Sequence, residues 1–305
     1  MVHSRRSFIK NSSLAIAGAS LLPAGLLATK MAAGEIVGVQ LYSIRDDMKK
    51  DPLASLQELS KMGYKYVEHA NYVNRKFYGY SATEFKKVLD GLGLKMLSGH
   101  TRFNADHWNA ATKDFSDSWK YTVEDAATVG QQHVISPWFD ENLRKTYEDY
   151  IGFVQLFNKN GELCKKAGMK FGYHNHAFEF DHSFNGKTLY DILLENTEPG
   201  LVVHQLDVGN MYNGGAKAMD ILKKYPGRFE SMHVKDEIKS SQAGGEPYES
   251  TILGEGVIGT KDVVDMGRKM GGTKHFIIEQ ESYQSKTAME AMKLDLAIMK
   301  KWGYV

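Results

Sequence analysis

The sequence predicts an α/β fold, a single (β/α)8 TIM barrel, and two observations lead to it. Short apolar segments rich in β-branched residues alternate with longer amphipathic ones along nearly the whole chain, the pattern of repeated βα units around a parallel sheet. The short segments number eight, which favours a closed barrel over an open sheet.

The first 33 residues stand apart. Ser4-Arg5-Arg6-Ser7-Phe8-Ile9-Lys10 puts paired arginines ahead of an apolar stretch from Leu14 to Ala28, with small residues at Ala32 and Ala33. This is the layout of an export signal, and the arginine pair resembles the twin-arginine motif. The apolar run is short of the ~20 residues a spanning helix needs and contains Pro23, so stable membrane insertion of the mature protein is not expected. The expected organisation is therefore residues 1–33 as export signal and 34–305 as one TIM-barrel catalytic domain, with a periplasmic or otherwise exported location.

Removing Arg5, Arg6, Lys10 and Lys30 changes the formal balance from 38 − 37 = +1 to 34 − 37 = −3. A slightly acidic domain without a basic stripe is a poor nucleic-acid binder, which also disfavours a phosphodiester hydrolase built on the same barrel. Cys164 is the only cysteine. It excludes an intramolecular disulfide and a cysteine-based zinc site, and its setting beside Leu163 and Ala167 reads as a small buried apolar residue.

The predicted strands are Ile36 to Leu41, Tyr64 to Val67, Leu94 to Ser98, His133 to Ser136, Lys170 to His174, Gly200 to Leu206, Phe229 to Val234 and His275 to Ile278. Asp51-Pro52 marks a helix start and Gly63 its end, with Leu53, Leu56 and Leu59 as the expected inner face. Ser81 to Glu84 forms a capping box ahead of Phe85, Val88 and Leu89. A longer helix is expected from about Thr146 to Lys166, carrying Tyr150, Ile151, Val154 and Phe157 into the core. The stretch from Glu237 to Gly256 reads as a long irregular loop, and such loops are more often functional than idle.

In a parallel barrel the active site lies at the C-terminal strand ends. Here four consecutive strands end in Tyr173-His174-Asn175-His176, Gln205-Leu206-Asp207-Val208-Gly209-Asn210, His233-Val234-Lys235-Asp236 and Glu279-Gln280-Glu281. Residues of one parity share a side, so His174 pairs with His176, Gln205 with Asp207, His233 with Lys235 and Glu279 with Glu281. Each residue alone has an ordinary structural explanation, a hydrogen-bonded histidine or a turn. Several inward acids around imidazoles at one mouth are most simply neutralised by a divalent cation. Mixed carboxylate and imidazole ligation suits manganese, zinc, cobalt or iron, and magnesium less well.

These motifs, together with Gly38-Val39-Gln40-Leu41-Tyr42-Ser43 and Gly254-Glu255-Gly256, resemble the sugar phosphate isomerase/epimerase family of xylose isomerase-like TIM barrels. The resemblance covers nearly all of 34–305. It implies one metal ion held by a glutamate after strand five, then Asp207, His233 and Glu279. The sequence departs from that pattern at strand five, where His174 replaces the usual glutamate and the nearest acid is Glu179. The resemblance then implies Glu179 reaching back to the metal, with His174 or His176 as a substituted ligand or a substrate-binding group. It also implies substrate contacts from Gln40, Glu68, His100, Trp138 and Lys235, and Glu179 and Glu279 as catalytic acid and base on opposite faces of a sugar.

The activity so implied is isomerisation or epimerisation of a small-molecule sugar by proton abstraction alpha to a carbonyl. Export and the lack of a Walker-type phosphate loop favour an unphosphorylated sugar or keto-sugar. A keto-glycoside or keto-sugar lyase or dehydratase would use the same site. A non-catalytic periplasmic sugar-binding barrel would use the same rim without turnover, with bound metal as the discriminator. The sequence leaves monomer and homo-oligomer equally open.

Overall fold

The computed structural model describes residues 35–241 and 244–305, so the expected export signal lies outside the described residues. The barrel strands are β1 (Ile36–Gln40), β2 (Tyr66–His69), β3 (Lys95–His100), β4 (His133–Ser136), β5 (Lys170–His174), β6 (Val202–Asp207), β7 (Ser231–Val234) and β8 (His275–Ile278). All neighbours pair in parallel, and β1 pairs with both β2 and β8, which closes the ring. Each expected strand is present, with β2 and β6 shifted toward the C-terminus. For β6 that shift places Asp207 inside the strand, at its last position.

The outer helices are α1 (Pro52–Met62), α2 (Ala82–Gly91), α3 (Asp117–Val129), α4 (Tyr147–Lys166), α5 (Leu189–Glu195), α6 (Ala218–Lys224), α7 (Thr260–Met266) and α8 (Ala288–Lys301). The first begins as its chemistry dictates: Asp51 Oδ1 accepts from Ala54 N at 3.0 Å, and Pro52 occupies the first helical position, where no N–H is needed. It ends at Gly63 with φ of 106°, a left-handed conformation that a side chain would strain. Leu56 and Leu59 are fully buried, whereas Leu53, expected beside them, is 40% exposed. The capping boxes at Ser81 and Thr287 start α2 and α8 in the same way.

The buried face of α4 carries Tyr150, Phe153, Val154 and Phe157. Cys164 is buried on that helix, and burial pushes its thiol up to about 12, consistent with a packing residue. Among the described residues no helix is long and apolar enough to cross a membrane.

The stretch expected as an irregular loop is partly ordered. Asp236–Lys239 pairs antiparallel with Tyr248–Thr251, so a hairpin stands over the end of β7. Its base is pinned by Asp236, whose carboxylate accepts from Gly254 N at 2.8 Å and Ile258 N at 3.2 Å. Backbone pairing of polar residues produces this hairpin, which leaves no hydrophobic alternation to read in the sequence. Close approach also governs β3: a Cβ on Gly99 would lie 1.9 Å from His69 Cδ2, so no larger residue fits without displacing that ring.

Candidate active site

The barrel delivers its polar residues to the C-terminal rim by strand parity. His174 and Asp207 are the last residues of β5 and β6, His233 lies within β7, and Glu279 follows β8 immediately. One nitrogen or oxygen from each of these four buried residues lies within 4.8 Å of all the others. His100, the last residue of β3, forms a second such group with His174 and His233.

Beneath them runs a hydrogen-bonded network. Glu68 is fully buried and accepts from Gln40 Nε2 at 2.8 Å, Gln205 Nε2 at 2.9 Å and the Ser98 hydroxyl, and its Oε1 lies 2.6 Å from His233 Nε2. Gln205 Nε2 also donates to Ser231 Oγ at 3.0 Å, so its carbonyl oxygen is the acceptor for His100 Nε2 at 2.7 Å and His174 Nδ1 at 3.1 Å. That assignment puts the His174 proton on Nδ1. Its Nε2 lone pair then faces Asp207 Oδ2 at 3.8 Å and the Asn210 amide nitrogen at 3.4 Å.

Electrostatics follow from this packing. Burial alone would lower His233, but Glu279 and Glu68 on either side raise it well above the usual histidine range, so a metal ion taking Nδ1 would have to displace a proton there. Lys235 likewise stays charged against burial, because its Nζ lies 3.1 Å from Asp207, 2.8 Å from Glu279 and 2.6 Å from Glu281. Burial raises Glu68, yet His100 and His233 bring it down to about 2. Asp207 and Glu279 are held well below the carboxylate range, burial being outweighed for both chiefly by Lys235. His174 is kept neutral by burial and by the neighbouring His233 and His100 rings.

Above the network opens a cavity of about 390 Å³, a size that suits one small ligand. Its lining includes the polar residues His100, Arg102, His174, His176, Asn210, Glu279 and Glu281, together with Tyr42, Tyr72 and Val73. Four of the residues expected at the site therefore line the cavity: His100, His174, His176 and Glu279. Gln40 and Glu68 do not; both are fully buried, Gln40 bonding Glu68, and Glu68 in turn holding His233 and Gln205. Trp138 stands behind the wall, edge-on to His176 at 4.9 Å between ring centres.

Glu179 departs most from expectation. After His174 the chain turns into a short helix, Phe178–Asp181, and the Glu179 carboxylate accepts from the Tyr173 hydroxyl and from His176 N at 2.8 Å. Tyr173 faces away from His174 on β5, toward Tyr150 and Phe157 in the layer between barrel and helices. Glu179 thus sits outside the four-residue group, and burial pushes it up to about 8. Its expected place is occupied by His174.

Ser98, Ser231 and Tyr72 were not foreseen. The two serines share the parity of His100 and His233, so a small polar residue inside an apolar strand was the available signal. Tyr72 comes from a three-stranded insertion spanning Tyr72–Ser81, whose two-residue strands leave no periodicity to detect.

Residues 56–302 match the family described as xylose isomerase-like TIM barrel. The chain belongs to this family. Among relatives, it is 25% identical over 190 residues to an inosose dehydratase of Bacillus licheniformis, covering 56% of this chain and 62% of that protein. The chain thus matches less than two thirds of that relative's length. Among solved structures, it is similar to a sugar phosphate isomerase/epimerase of Parabacteroides distasonis, with TM-score 0.74 and 24% identity over 93% of this chain and 100% of the other. It also shares its fold with the IolI protein bearing a zinc atom, at TM-score 0.66 and 13% identity over 88% and 98% of the two chains.

The rim of this xylose isomerase-like barrel fits a divalent ion on its own geometry. Asp207 Oδ2 is buried and makes no well-aligned hydrogen bond: Lys235 Nζ stands 3.1 Å from it as an ion-pair partner, and His233 Nδ1 at 3.6 Å is too far to donate. A deprotonated His174 Nε2 opposite that carboxylate oxygen leaves two electron-pair donors facing each other, which a cation between them would satisfy. Glu68 bonded to His233 Nε2, and Gln205 bonded to His174 Nδ1, are the outer partners that orient imidazole ligands.

Proposed function

We propose that the chain is a divalent-metal-dependent enzyme that removes a proton alpha to a carbonyl of an unphosphorylated sugar or keto-sugar, with isomerisation or epimerisation as the outcome. The observation that carries this reading is the convergence of His174, Asp207, His233 and Glu279 within 4.8 Å at the strand ends, beside the cavity. The proposed ligand set is His174, Asp207, His233 and Glu279. The ion would be manganese, zinc, cobalt or iron, and when bound it supplies Lewis-acid polarisation of the substrate carbonyl.

The residues around it divide the remaining work. Glu279 takes the proton, since its carboxylate is held ionised at the cavity edge. His176 lines the cavity from the β5 side with Nδ1 lacking a hydrogen-bond partner, and it takes the proton-carrying role expected of Glu179. Asn210 and Glu281 position substrate hydroxyls, and Lys235 offsets charge that builds on the substrate oxygens. Asp207, Glu279 and Glu281 surround Lys235, and Arg102 on the cavity wall is paired with Asp140, so both cations are already matched by carboxylates, which supports an unphosphorylated substrate.

Elimination is the second reading, favoured by the similarity to an inosose dehydratase. It shares the proton abstraction and differs in expelling a hydroxyl group. The test is elemental analysis of protein purified without chelator, joined to deuterium uptake from heavy water into free sugars and ring ketones. Near-stoichiometric metal with exchange supports the proposal. Sugar binding without metal or exchange would replace it with a binding barrel, because Lys235 and His233 already offset part of the acid charge.

Export through residues 1–33 is part of the proposal. Fractionation of cells expressing the full chain should place it outside the cytoplasm, and replacing Arg5 and Arg6 with Lys should retain it inside. An unchanged distribution would remove the twin-arginine route.

A further inference from the structure

A second concavity of about 290 Å³ adjoins the first and is lined in part by the Asp236–Lys239/Tyr248–Thr251 hairpin. The two share Asn210 and Glu281 as walls. Lys235 stands at their border, lining the second while its Nζ lies 2.8 Å from Glu279 in the first. The hairpin and the connection within it contribute Glu237, Glu246, Tyr248 and Glu249, and Asn213 faces them from the end of the short helix Val208–Asn213.

Several features point to a ligand in this space. Glu237 is only 3% exposed, lines the cavity, and has a carboxylate oxygen, Oε2, with no hydrogen-bond partner. A buried acceptor left unpaired is costly, and hydroxyl donors from a bound molecule relieve that cost. Tyr248 is braced edge-on against Tyr212, with ring centres 4.8 Å apart, and presents a rigid aromatic wall. The carboxyl groups of Glu237, Glu246, Glu249 and Glu281 line the space with oxygen acceptors beside the single Lys235, which suits the hydroxyls of a neutral molecule better than an anion.

Size decides the rest. At about 30 Å³ for each water-sized group, the two volumes hold roughly 13 and 10 such groups, close to one pyranose ring each. We infer that the substrate has two rings: a reacting sugar in the first cavity, glycosidically linked to a neutral sugar unit that occupies the second. This rests on the proposed function only for the statement that the first cavity holds the reacting ring.

The test is calorimetric titration of the manganese-loaded full chain with methyl α-glucoside and with α- and β-linked glucosyl-glucosides, with deuterium exchange followed on the corresponding ring ketones. At least one disaccharide is expected to bind about tenfold or more tightly than the methyl glycoside. That ratio should fall toward one in Tyr248→Ala and in Glu246→Gln, an exposed substitution that spares the fold if the first does not. Equal binding of mono- and disaccharides, or an advantage that survives both substitutions, overturns the inference. Exchange without a disaccharide advantage removes the second ring and keeps the chemistry, whereas an advantage without exchange keeps the two-ring site and removes the chemistry.

Discussion

Replacing Glu279 with Gln is expected to lower deuterium exchange into substrate by about 10²–10⁴-fold, the usual worth of a positioned proton acceptor. The amide keeps the shape of the side chain and still reaches the cavity edge, but it cannot hold a proton. It also removes one of the charges beside His233 Nδ1 at 3.0 Å and Lys235 Nζ at 2.8 Å, so metal content should fall as well. Glu68→Gln separates the two effects. Glu68 bonds His233 from below and lies outside the ligand group, so its loss should weaken metal affinity by about 10–100-fold while exchange recovers at saturating metal. Exchange that persists in Glu279→Gln at saturating metal would falsify the assignment of the base.

The second large effect concerns stability against pH. Burial raises Glu179 from 4.5 to about 8, so the folded protein holds it protonated while the unfolded chain releases that proton above pH 4.5. Between those values the folded state binds more protons, and stability must fall as pH rises. At ~1.36 kcal/mol per pKa unit the contribution is on the order of 3–5 kcal/mol, present at pH 4 and lost above pH 8. Glu179→Gln keeps a hydrogen-bonding group beside Tyr173 and His176 but cannot ionise. Its urea midpoint should therefore gain on the wild type between pH 6 and pH 9. Glu237, also raised to about 8 by burial, is common to both proteins and cancels in the comparison. Parallel pH profiles for the two proteins would show that Glu179 is not the group responsible.

The contrast between Glu179 and Glu279 shows how far the residue pattern alone could be followed. Within a strand the two-residue period holds, so parity correctly sent His174, Gln205, Asp207 and His233 inward. Glu279 follows an apolar strand directly and inherits its direction. Five residues beyond His174 that rule no longer applies, because Ala177 has helical backbone angles and the turn carries Glu179 behind the strand toward Tyr173. Depth was also hidden. Parity places Gln40 and Glu68 inside the barrel but cannot tell a residue under the site from one facing the ligand. The hairpin over β7 was illegible for another reason: its strands are polar and held by backbone pairing and by Asp236, which leave no hydrophobic rhythm.

The network under the site has one more consequence. Gln40, Ser98, Gln205 and His233, from β1, β3, β6 and β7, all contact Glu68 of β2, while His174 of β5 is tied in through Gln205 and Glu279 after β8 through His233. The barrel's mouth is therefore tied twice, around its rim by the backbone ladder and across its bore by side chains that meet at Glu68. Cross-ties of this kind resist dilation, so adjustment to differently shaped sugars falls to the peripheral hairpins at Tyr72–Ser81 and Asp236–Thr251. New substrate preferences can then evolve by exchanging rim insertions while the aperture keeps its bore.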